Sequence, residues 1–214
     1  MSLKQKWLGI VGGFFALTFL VYAGSLGNGF FILDDGLLIY ENNAIREISP
    51  HTLKAVFTSY DPELYIPLTF LSYQIDYLIG GYSPFIYHFT NLLLHTFNAL
   101  LVMWFVYLLL KRKWLALMCG ILFAIHPLHV ETVVWASARK DVLSTFFFLG
   151  ALVAYLHSRE RRRGGEEERK KRKSLFTTLV SSPLLIPLLL FALGLLAKVT
   201  VLTLPIILLL IDYL

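Results

Sequence analysis

Cysteine is nearly absent from this sequence, with Cys119 the single example among 214 residues. One thiol cannot build a disulfide framework within the chain, and it cannot supply the paired cysteines of most structural zinc sites. Because Cys119 lies inside an apolar run, we interpret it as a packing residue. The sequence also lacks internal repeats and Gly- or Ser-rich linkers, so nothing in it indicates a repeat array or separate domains.

Charged residues are missing over three long stretches, which cover residues 7 to 26, 84 to 110 and 175 to 197. Each stretch is long enough to cross about 30 Å of hydrocarbon at roughly 1.5 Å per residue. Backbone polar groups in lipid must be satisfied within their own segment, so the three runs predict helices. The first run is long for the hydrophobic part of a signal peptide, and we expect it to remain as a membrane span.

Basic residues are concentrated in three places, although the net charge of +5 by itself would suit a nucleic-acid partner. Of the 19 Lys and Arg residues, 14 lie within residues 4–6, 111–113 and 159–173. Placing these clusters on the cytoplasmic side satisfies the positive-inside rule, so the charge indicates membrane topology and attraction to membrane lipids. We therefore expect a multi-pass membrane protein with a cytoplasmic N-terminus and no nucleic-acid partner.

The predicted fold is an all-α polytopic membrane protein with about six transmembrane helices. Spans three and four are short for a bilayer, so their outer ends are expected to surround a polar indentation. Residues 64 to 79 are apolar and aromatic but include Gln74 and Asp76, which predicts a helix lying at the membrane surface. The predicted spans cover residues 7–26, 84–110, 114–126, 142–157, 175–193 and 201–214, with an outer loop at 27–83 and a cytoplasmic loop at 158–174.

Two adjacent carboxylates, Asp34 and Asp35, follow the first span on the predicted outer side. A carboxylate at this position is able to accept a proton from a hydroxyl group or to bind a cation. The alternative is a helix cap or a solvated turn, and the spacing alone leaves both readings open.

Four polar residues, His88, Asn91, His95 and Asn98, are spaced by 3, 4 and 3 along the outer half of the second span. This spacing places them on one helical face, and polar side chains in a membrane helix face a partner or a cavity rather than lipid. A cavity wall and a stripe of interhelical hydrogen bonds are equally compatible with the pattern.

A turn rich in titratable groups follows the third span, with His126, His129 and Glu131 as its first members. Pro127 breaks the helix between them, so the arrangement of two histidines on one helical turn that holds zinc is absent. We predict no metal cofactor; a divalent cation stays open as an alternative, although no clear site in the sequence supports it.

Three cations lie on the outer side close to these groups in the predicted topology. Arg139 and Lys140 suit a phosphate, Arg as a fork and Lys as a point charge. The alternative for Arg139 and Lys140 is a juxtamembrane ion pair with Glu131 or Asp141. Lys198, at the turn between spans five and six, is weaker by itself, because a single Lys there often extends to the membrane surface.

The order of these motifs resembles the membrane region of the C-type glycosyltransferases. It is most similar to the group of transmembrane-and-tetratricopeptide-repeat protein O-mannosyltransferases and its bacterial relatives. The specific part is the block from Leu122 to Glu131 with its Arg-Lys-Asp tail. The other matching features are the Asp34–Asp35 pair, the motif Tyr87-His88-x-x-Asn91-x-x-x-His95, Trp135, Ala197–Lys198 and Asp212–Tyr213.

The resemblance implies transfer of a sugar, mannose in that group, from a polyprenyl-phosphate donor to a protein hydroxyl. The reaction would take place on the extracytoplasmic face, which is the periplasm or the lumen of the endoplasmic reticulum. A carboxylate in the first outer loop acts as base in such enzymes, a role that corresponds to Asp34 with Asp35 beside it. The residues expected to face the donor phosphate or its cavity are Arg139, Lys140, Lys198, His126, His129, Glu131, His88, Asn91 and His95.

Members of that group have several more spans, and many carry helical repeats that hold the acceptor. We therefore expect this chain to be the N-terminal part of such a membrane domain or a reduced form of it. The competing hypothesis is a non-catalytic membrane module that binds a polyprenyl lipid or a partner protein. A small transporter is disfavoured, because the paired broken spans of an inverted repeat are missing.

Overall fold

A computed structural model of the chain describes residues 3–58, 60, 64–165 and 184–213. Helices dominate these ranges, and no β-strand occurs within them. The nine α-helices of the described residues are α1 Leu3–Tyr22, α2 Pro50–Thr58, α3 Pro67–Gly80, α4 Pro84–Leu110, α5 Lys113–Ile125, α6 Val130–Val134, α7 Arg139–Gly165, α8 Leu185–Ala197 and α9 Leu204–Tyr213. Short 3₁₀ or π turns connect them at Ala23–Gly27, Gly36–Tyr40, Asn43–Ile45, Pro127–His129, Ala136–Ala138 and Val199–Thr203.

Proline and glycine determine where several helices begin and end. Pro67 and Pro84 stand at the start of α3 and α4, where the N–H that proline lacks has no helical partner in any case. Gly81 follows α3 with a φ of 59°, a left-handed conformation that glycine adopts without strain. α5 ends at Ile125 because Pro127 drives the residue before it out of the helical conformation.

Three stretches are long and apolar enough to cross a membrane, namely Trp7–Gly27, Pro84–Leu110 and Ala136–Glu160. α5 and the following stretch Pro127–Val134 are bent by 48° relative to each other, and they make a fourth crossing if the pair is one span. The predicted all-helical membrane class is confirmed. The count of six spans stays a prediction, since α8 and α9 have 13 and 10 residues in the described part of the chain.

Two of the predicted segments are only partly covered by the described residues. Residues 166–174 of the predicted loop and residues 175–183 of the predicted fifth span lie outside the described residues. α7 continues through the first part of that predicted loop, to Gly165, and it begins at Arg139, three residues before the predicted start of the fourth span.

α4 lies at the centre of the packing, with α1 and α5 on one side and α7 on another. The side chains between α1, α4 and α5 form an apolar cluster around Phe14, Ala99 and Met103. α7 packs in turn against α8 and α9 through a second cluster that includes Leu152, Leu156 and Val201. Many other large apolar side chains point outward, as expected of helices that face lipid.

The segment between α1 and α4 forms a lid over one end of this bundle. Its core contains Leu38, Ile39 and Ile45, which pack with Phe70 and Tyr73 of α3 and with Tyr87 at the start of α4. The helix predicted over residues 64–79 is present as α3, which contacts α4, α7 and α8, and its position at a membrane surface stays a prediction. This lid carries the two candidate carboxylates, Asp34 and Asp35.

Gly120 on α5 allows α5 to approach α1 and α4 closely. A Cβ atom there would lie 2.8 Å from both Met103 Cβ and Phe14 Cζ. We expect Gly120→Ala to lower the free energy of unfolding by about 1–3 kcal/mol, since a crowded core must shift. The midpoint of thermal unfolding in detergent measures this loss. Gly13→Ala is the matched control, because a Cβ on this helical glycine meets nothing within 4 Å; an equal loss in both variants would contradict the close packing.

Candidate active site

A fully buried arginine lies where α3, α4 and α7 meet. Arg139 Nη2 donates to Asp76 Oδ2 at 2.7 Å and to the carbonyl of Tyr87 at 2.9 Å. Its Nε donates to Asn91 Oδ1, and its Nη1 donates to Ser72 Oγ at 3.2 Å. Four of the five guanidinium N–H groups thus bind protein groups, so Arg139 fixes the three helix ends relative to one another.

Tyr73 completes the surroundings of Arg139. Its ring centroid lies 5.3 Å from the guanidinium carbon, a distance typical of a cation–π contact. Burial raises the pKa of the Tyr73 phenol, with Arg139 opposing this shift. The neutral phenol donates to the carbonyl of Ala136 at 3.0 Å. α3 is therefore attached to the start of α7 by the carboxylate of Asp76 and to the preceding turn by the phenol of Tyr73.

The two adjacent carboxylates have different surroundings. Asp35 is fully buried and accepts the N–H of Phe31 at 2.8 Å and the N–H of Ser137 at 2.9 Å. Asp34 is 48% exposed, and its Oδ2 lies 3.9 Å from the ammonium of Lys140. Asp35 therefore joins the lid to the start of α7, whereas Asp34 is the carboxylate that a substrate is able to reach.

The ion pair between Lys198 and Asp141 lies next to the one between Lys140 and Asp34, at the start of α7. Lys198, between α8 and α9, donates from its ammonium to Asp141, and both side chains are partly exposed. Glu131 on α6 is exposed, and it lines a small pocket together with Lys140 and Asp141. The predicted residues Asp34, Glu131, Lys140 and Lys198 thus belong to one partly open surface that includes Asp141.

The polar face of α4 binds backbone carbonyls of the segment from α5 to α7. Asn91 Nδ2 donates to the carbonyl of Trp135 at 2.8 Å, and Asn98 Nδ2 donates to that of Val142 at 2.9 Å. His95 Nε2 lies 3.0 Å from the carbonyl of Ala124 and donates to it. These side chains face protein, as their spacing predicts, and they form interhelical hydrogen bonds rather than an open cavity wall.

His88 is the exception on this face. It is fully buried, and its ring lies beside the backbone of Gly29 and Val134 without a hydrogen bond of regular geometry to any described residue. Its ring lies 6.4 Å from that of Phe30, in the lid. His88 is therefore placed behind the lid and away from the exposed surface around Asp34.

The other two histidines predicted for the site, His126 and His129, lie just after α5, and they position the chain around Pro127. His126 Nδ1 accepts the N–H of Leu128 at 3.2 Å, and its side chain is exposed. His129 Nδ1 donates to the carbonyl of Phe123 at 2.8 Å. Within the described ranges, no group of three or more His, Cys, Asp or Glu side chains is arranged to hold a metal ion.

Sequence reasoning missed the contribution of α3 to this site. Thr69, Tyr73 and Asp76 lie at spacings of four and three, so they share one helical face. All three bind groups from other elements, with Thr69 Oγ1 donating to the carbonyl of Ala197 at 3.1 Å. The same spacing argument that was applied to α4 would have identified this polar stripe in an otherwise apolar helix.

Comparison with known proteins finds several relatives named as protein O-mannosyl-transferases. Tmtc1 of Drosophila melanogaster is 33% identical over 162 residues, which are 72% of this chain and 19% of that protein. TMTC3 of Homo sapiens is 30% identical over 148 residues, 64% of this chain and 16% of that protein. TMTC2 of Homo sapiens is 39% identical over 92 residues, 43% of this chain and 11% of that protein.

The chain therefore spans less than a fifth of the length of each of these relatives. No family model and no solved structure matches it. The similarity to the protein O-mannosyl-transferases confirms the resemblance predicted from the order of the motifs.

The buried ion pair of Arg139 makes a direct prediction about stability. Asp76→Asn keeps the size of the side chain but leaves the guanidinium without its counter-charge in a buried site. We expect the free energy of unfolding to fall by about 3–5 kcal/mol, the typical cost of removing one partner of a buried pair. Thermal unfolding in detergent, followed by circular dichroism, measures the effect.

Asp34→Asn is the control for this experiment. It removes a half-exposed carboxylate from the long contact with Lys140, and such surface pairs contribute under about 1 kcal/mol. A chain with Asp76→Asn that unfolds at the same temperature as the wild type would show that the buried pair does not hold the three helices together.

Proposed function

We propose that this chain, a relative of the protein O-mannosyl-transferases of flies and mammals, is part of a membrane glycosyltransferase. It transfers a sugar from a polyprenyl-phosphate donor to a hydroxyl group of a protein. The observation that carries the proposal is the position of Asp34. Its accessible carboxylate lies on the lid, 3.9 Å from the ammonium of Lys140, and Lys140 lines a small pocket.

In this mechanism Asp34 is the general base. The acceptor hydroxyl gives its proton to a carboxylate oxygen of Asp34 while its oxygen bonds to the anomeric carbon of the sugar. The bond from that carbon to the phosphate oxygen breaks, and the lipid phosphate leaves with the bonding electrons from the opposite face, so the configuration inverts. Removing a general base of this kind typically lowers turnover by about 10²- to 10⁴-fold.

Asp35 supports the base and does not act on substrate. Both of its oxygens accept backbone N–H groups, one from the lid and one from Ser137, and the residue is fully buried. It therefore holds the lid, with Asp34 on it, against the start of α7. This division of roles follows from access alone, since the two residues are neighbours in the chain.

Lys140 and Lys198 are the cations that remain for the donor phosphate. Arg139 is engaged with Asp76, Asn91, Ser72 and Tyr87 and is closed to a ligand. The two lysines, by contrast, are partly exposed and pair with carboxylates at the rim. Because a lysine ammonium on a flexible stem exchanges partners readily, each is able to turn to the phosphate as it arrives.

We place this site at the extracytoplasmic end of the bundle. The basic turn at Lys111–Lys113 lies at the far end of α4, about 40 Å from its start at a rise of 1.5 Å per residue. The positive-inside rule puts that turn in the cytoplasm, and therefore the lid and Asp34 on the other side.

The catalytic proposal predicts a loss of turnover without a loss of donor binding in Asp34→Asn. Asn keeps the shape but cannot take the proton, so we expect sugar transfer to fall about 10²- to 10⁴-fold. Transfer is measured by mass spectrometry, with the chain in lipid nanodiscs, a short-chain polyprenyl phosphomannose as donor and a Ser- and Thr-containing peptide as acceptor. Near-normal turnover in this variant would refute Asp34 as the base.

Lys140→Ala separates phosphate binding from proton transfer. We expect donor affinity to fall about tenfold or more, because a charge-assisted contact is lost. Lys54→Ala is the matched control, since Lys54 is an exposed lysine of the outer segment outside this site. If the wild-type chain binds the donor but transfers no sugar, the non-catalytic binding module becomes the better description.

The topology makes an independent prediction, tested by labelling single cysteines in a Cys119→Ser background. Ile32→Cys places a thiol on the lid at a position that is 99% exposed, and Arg112→Cys places one on the basic turn. A membrane-impermeant maleimide added outside intact cells should label position 32 and not position 112. Labelling of both positions, or of position 112 alone, would reverse or remove the proposed orientation.

A further inference from the structure

A basic turn and three tryptophans lie at the end of the bundle opposite the lid. Residues 111–113 form the turn between α4 and α5, directly after the apolar stretch Pro84–Leu110. Trp7, at the start of another apolar stretch, has its ring 6.4 Å from that of Trp104 on α4, and Trp114 follows the turn and is 77% exposed. Tryptophan and basic residues are typical of the layer where a membrane meets water, so this end is expected to lie among lipid headgroups.

The three cations of this turn differ in their partners. Lys111 donates from its ammonium to Glu160 on α7, and this ammonium also lies 5.8 Å from the centroid of the Tyr107 ring. Arg112 and Lys113 are exposed, and the side chain of neither forms a hydrogen bond or an ion pair with any residue that the structure describes. The turn therefore presents two cations on adjacent residues that protein groups within the described ranges do not neutralise.

The backbone of the turn is tight, so the two cations stay close to the ends of α4 and α5. Lys111 adopts a left-handed conformation with a φ of 56°, and its N–H donates to the carbonyl of Tyr107 at 2.8 Å. The N–H of Ala116 donates to the carbonyl of Arg112 at 3.0 Å, so α5 begins at once. Cations on such a turn bind a ligand with little additional cost of ordering the backbone.

An exposed apolar face of α5 continues from the basic turn. Leu115, Met118 and Leu122 are spaced by three and four, and each of them is more than 40% exposed. They cover about 10 Å of helix at a rise of 1.5 Å per residue, and α5 has no charged residue after Lys113. The order of groups is thus cations, an indole ring and then apolar side chains. A phospholipid has the matching order of phosphate, glycerol ester and acyl chain.

The two unneutralised cations distinguish an anionic lipid from a zwitterionic one. Arginine binds a phosphate as a fork and lysine binds it as a point charge, so Arg112 and Lys113 are able to hold one phosphate together. Phosphatidylcholine brings a cation of its own to the same place, whereas phosphatidylglycerol does not. Each basic residue at a membrane surface strengthens the attraction to anionic lipid about fivefold.

We propose that the junction of α4 and α5 is a binding site for an anionic phospholipid of the bilayer. Arg112 and Lys113 hold its phosphate, Trp114 lies at the level of the glycerol esters, and the exposed face of α5 lies along an acyl chain. The site is at the end of the bundle away from Asp34. The proposal is therefore independent of the proposed function, whose donor phosphate belongs to the opposite end.

Lipids with brominated acyl chains test this site, because bromine quenches the fluorescence of a nearby tryptophan. The full chain is placed in phosphatidylcholine nanodiscs that contain increasing fractions of brominated phosphatidylglycerol or of brominated phosphatidylcholine. We expect half-maximal quenching at a lower fraction of the brominated phosphatidylglycerol. Arg112→Gln and Lys113→Gln should each reduce this preference about fivefold, and the double variant should abolish it. Trp114→Phe should remove most of the quenching that is specific to the anionic lipid.

Two controls separate a site from a general effect of charge or of folding. Lys54→Gln removes an exposed lysine from the lid, at the other end of the bundle, and it should leave the lipid preference unchanged. In pure phosphatidylcholine, the thermal unfolding midpoint of the double variant Arg112→Gln and Lys113→Gln should equal that of the wild type, since neither side chain has a partner among the described residues. A lower midpoint would contradict the unpaired state on which the proposal depends.

Three results would overturn the lipid site. The first is equal quenching of the wild type by the two brominated lipids, which is the behaviour of ordinary boundary lipid. The second is a preference for the anionic lipid that survives in the double variant. The third is a loss of preference in Lys54→Gln as large as that in Arg112→Gln, which would reduce the effect to overall charge. None of these results bears on sugar transfer, which is tested by Asp34→Asn at the other end of the bundle.

Discussion

The guanidinium of Arg139 is buried where the ends of α3, α4 and α7 meet, and its position depends on the carboxylate of Asp76. A buried pair of this kind adds little net stability over an apolar contact, but the loss of either partner is severe. The ion pair here fixes the relative positions of two helices, because Asp76 lies on α3 and Arg139 lies on α7. Arg139 stands directly before Lys140, and Asp76 belongs to the lid. The ion pair therefore sets how the lid sits over the start of α7.

The polar residues of α4 serve a related purpose along the irregular path from α5 to α7. A chain that turns through Pro127 and two short 3₁₀ segments leaves carbonyls without regular helical partners. Unsatisfied backbone groups of this kind are costly away from water. Asn91 and His95 of α4 donate to the carbonyls of Trp135 and Ala124, so side chains of α4 satisfy carbonyls where the path from α5 to α7 is irregular. These hydrogen bonds hold the polar segment between α5 and α7 in a defined arrangement.

The local sequence pattern was enough to predict the apolar helices and the polar face of α4, because both depend on residues that are close in sequence. It also predicted that Asp34, Lys140 and Lys198 would lie on the same side of the membrane, and that topology stays a prediction. It could not tell Asp34 from Asp35, since exposure of one and burial of the other depends on Ser137, which is 102 residues further along the chain. Nor could it identify Asp76 as the partner of Arg139, because a separation of 63 residues is closed only by the tertiary fold. The roles of charged residues were thus the hardest part to read from sequence.

The same separation bears on how the protein enters the membrane. Asp76 precedes Arg139 by 63 residues, so it leaves the ribosome before its counter-charge does. A lone charged side chain at the centre of a membrane helix costs about 2.5–3.5 kcal/mol on translocon-insertion scales, which keeps such a segment in the interfacial region. This cost disfavours burial of Asp76 in hydrocarbon without Arg139, so the final packing of α3 depends on a helix that is synthesised later.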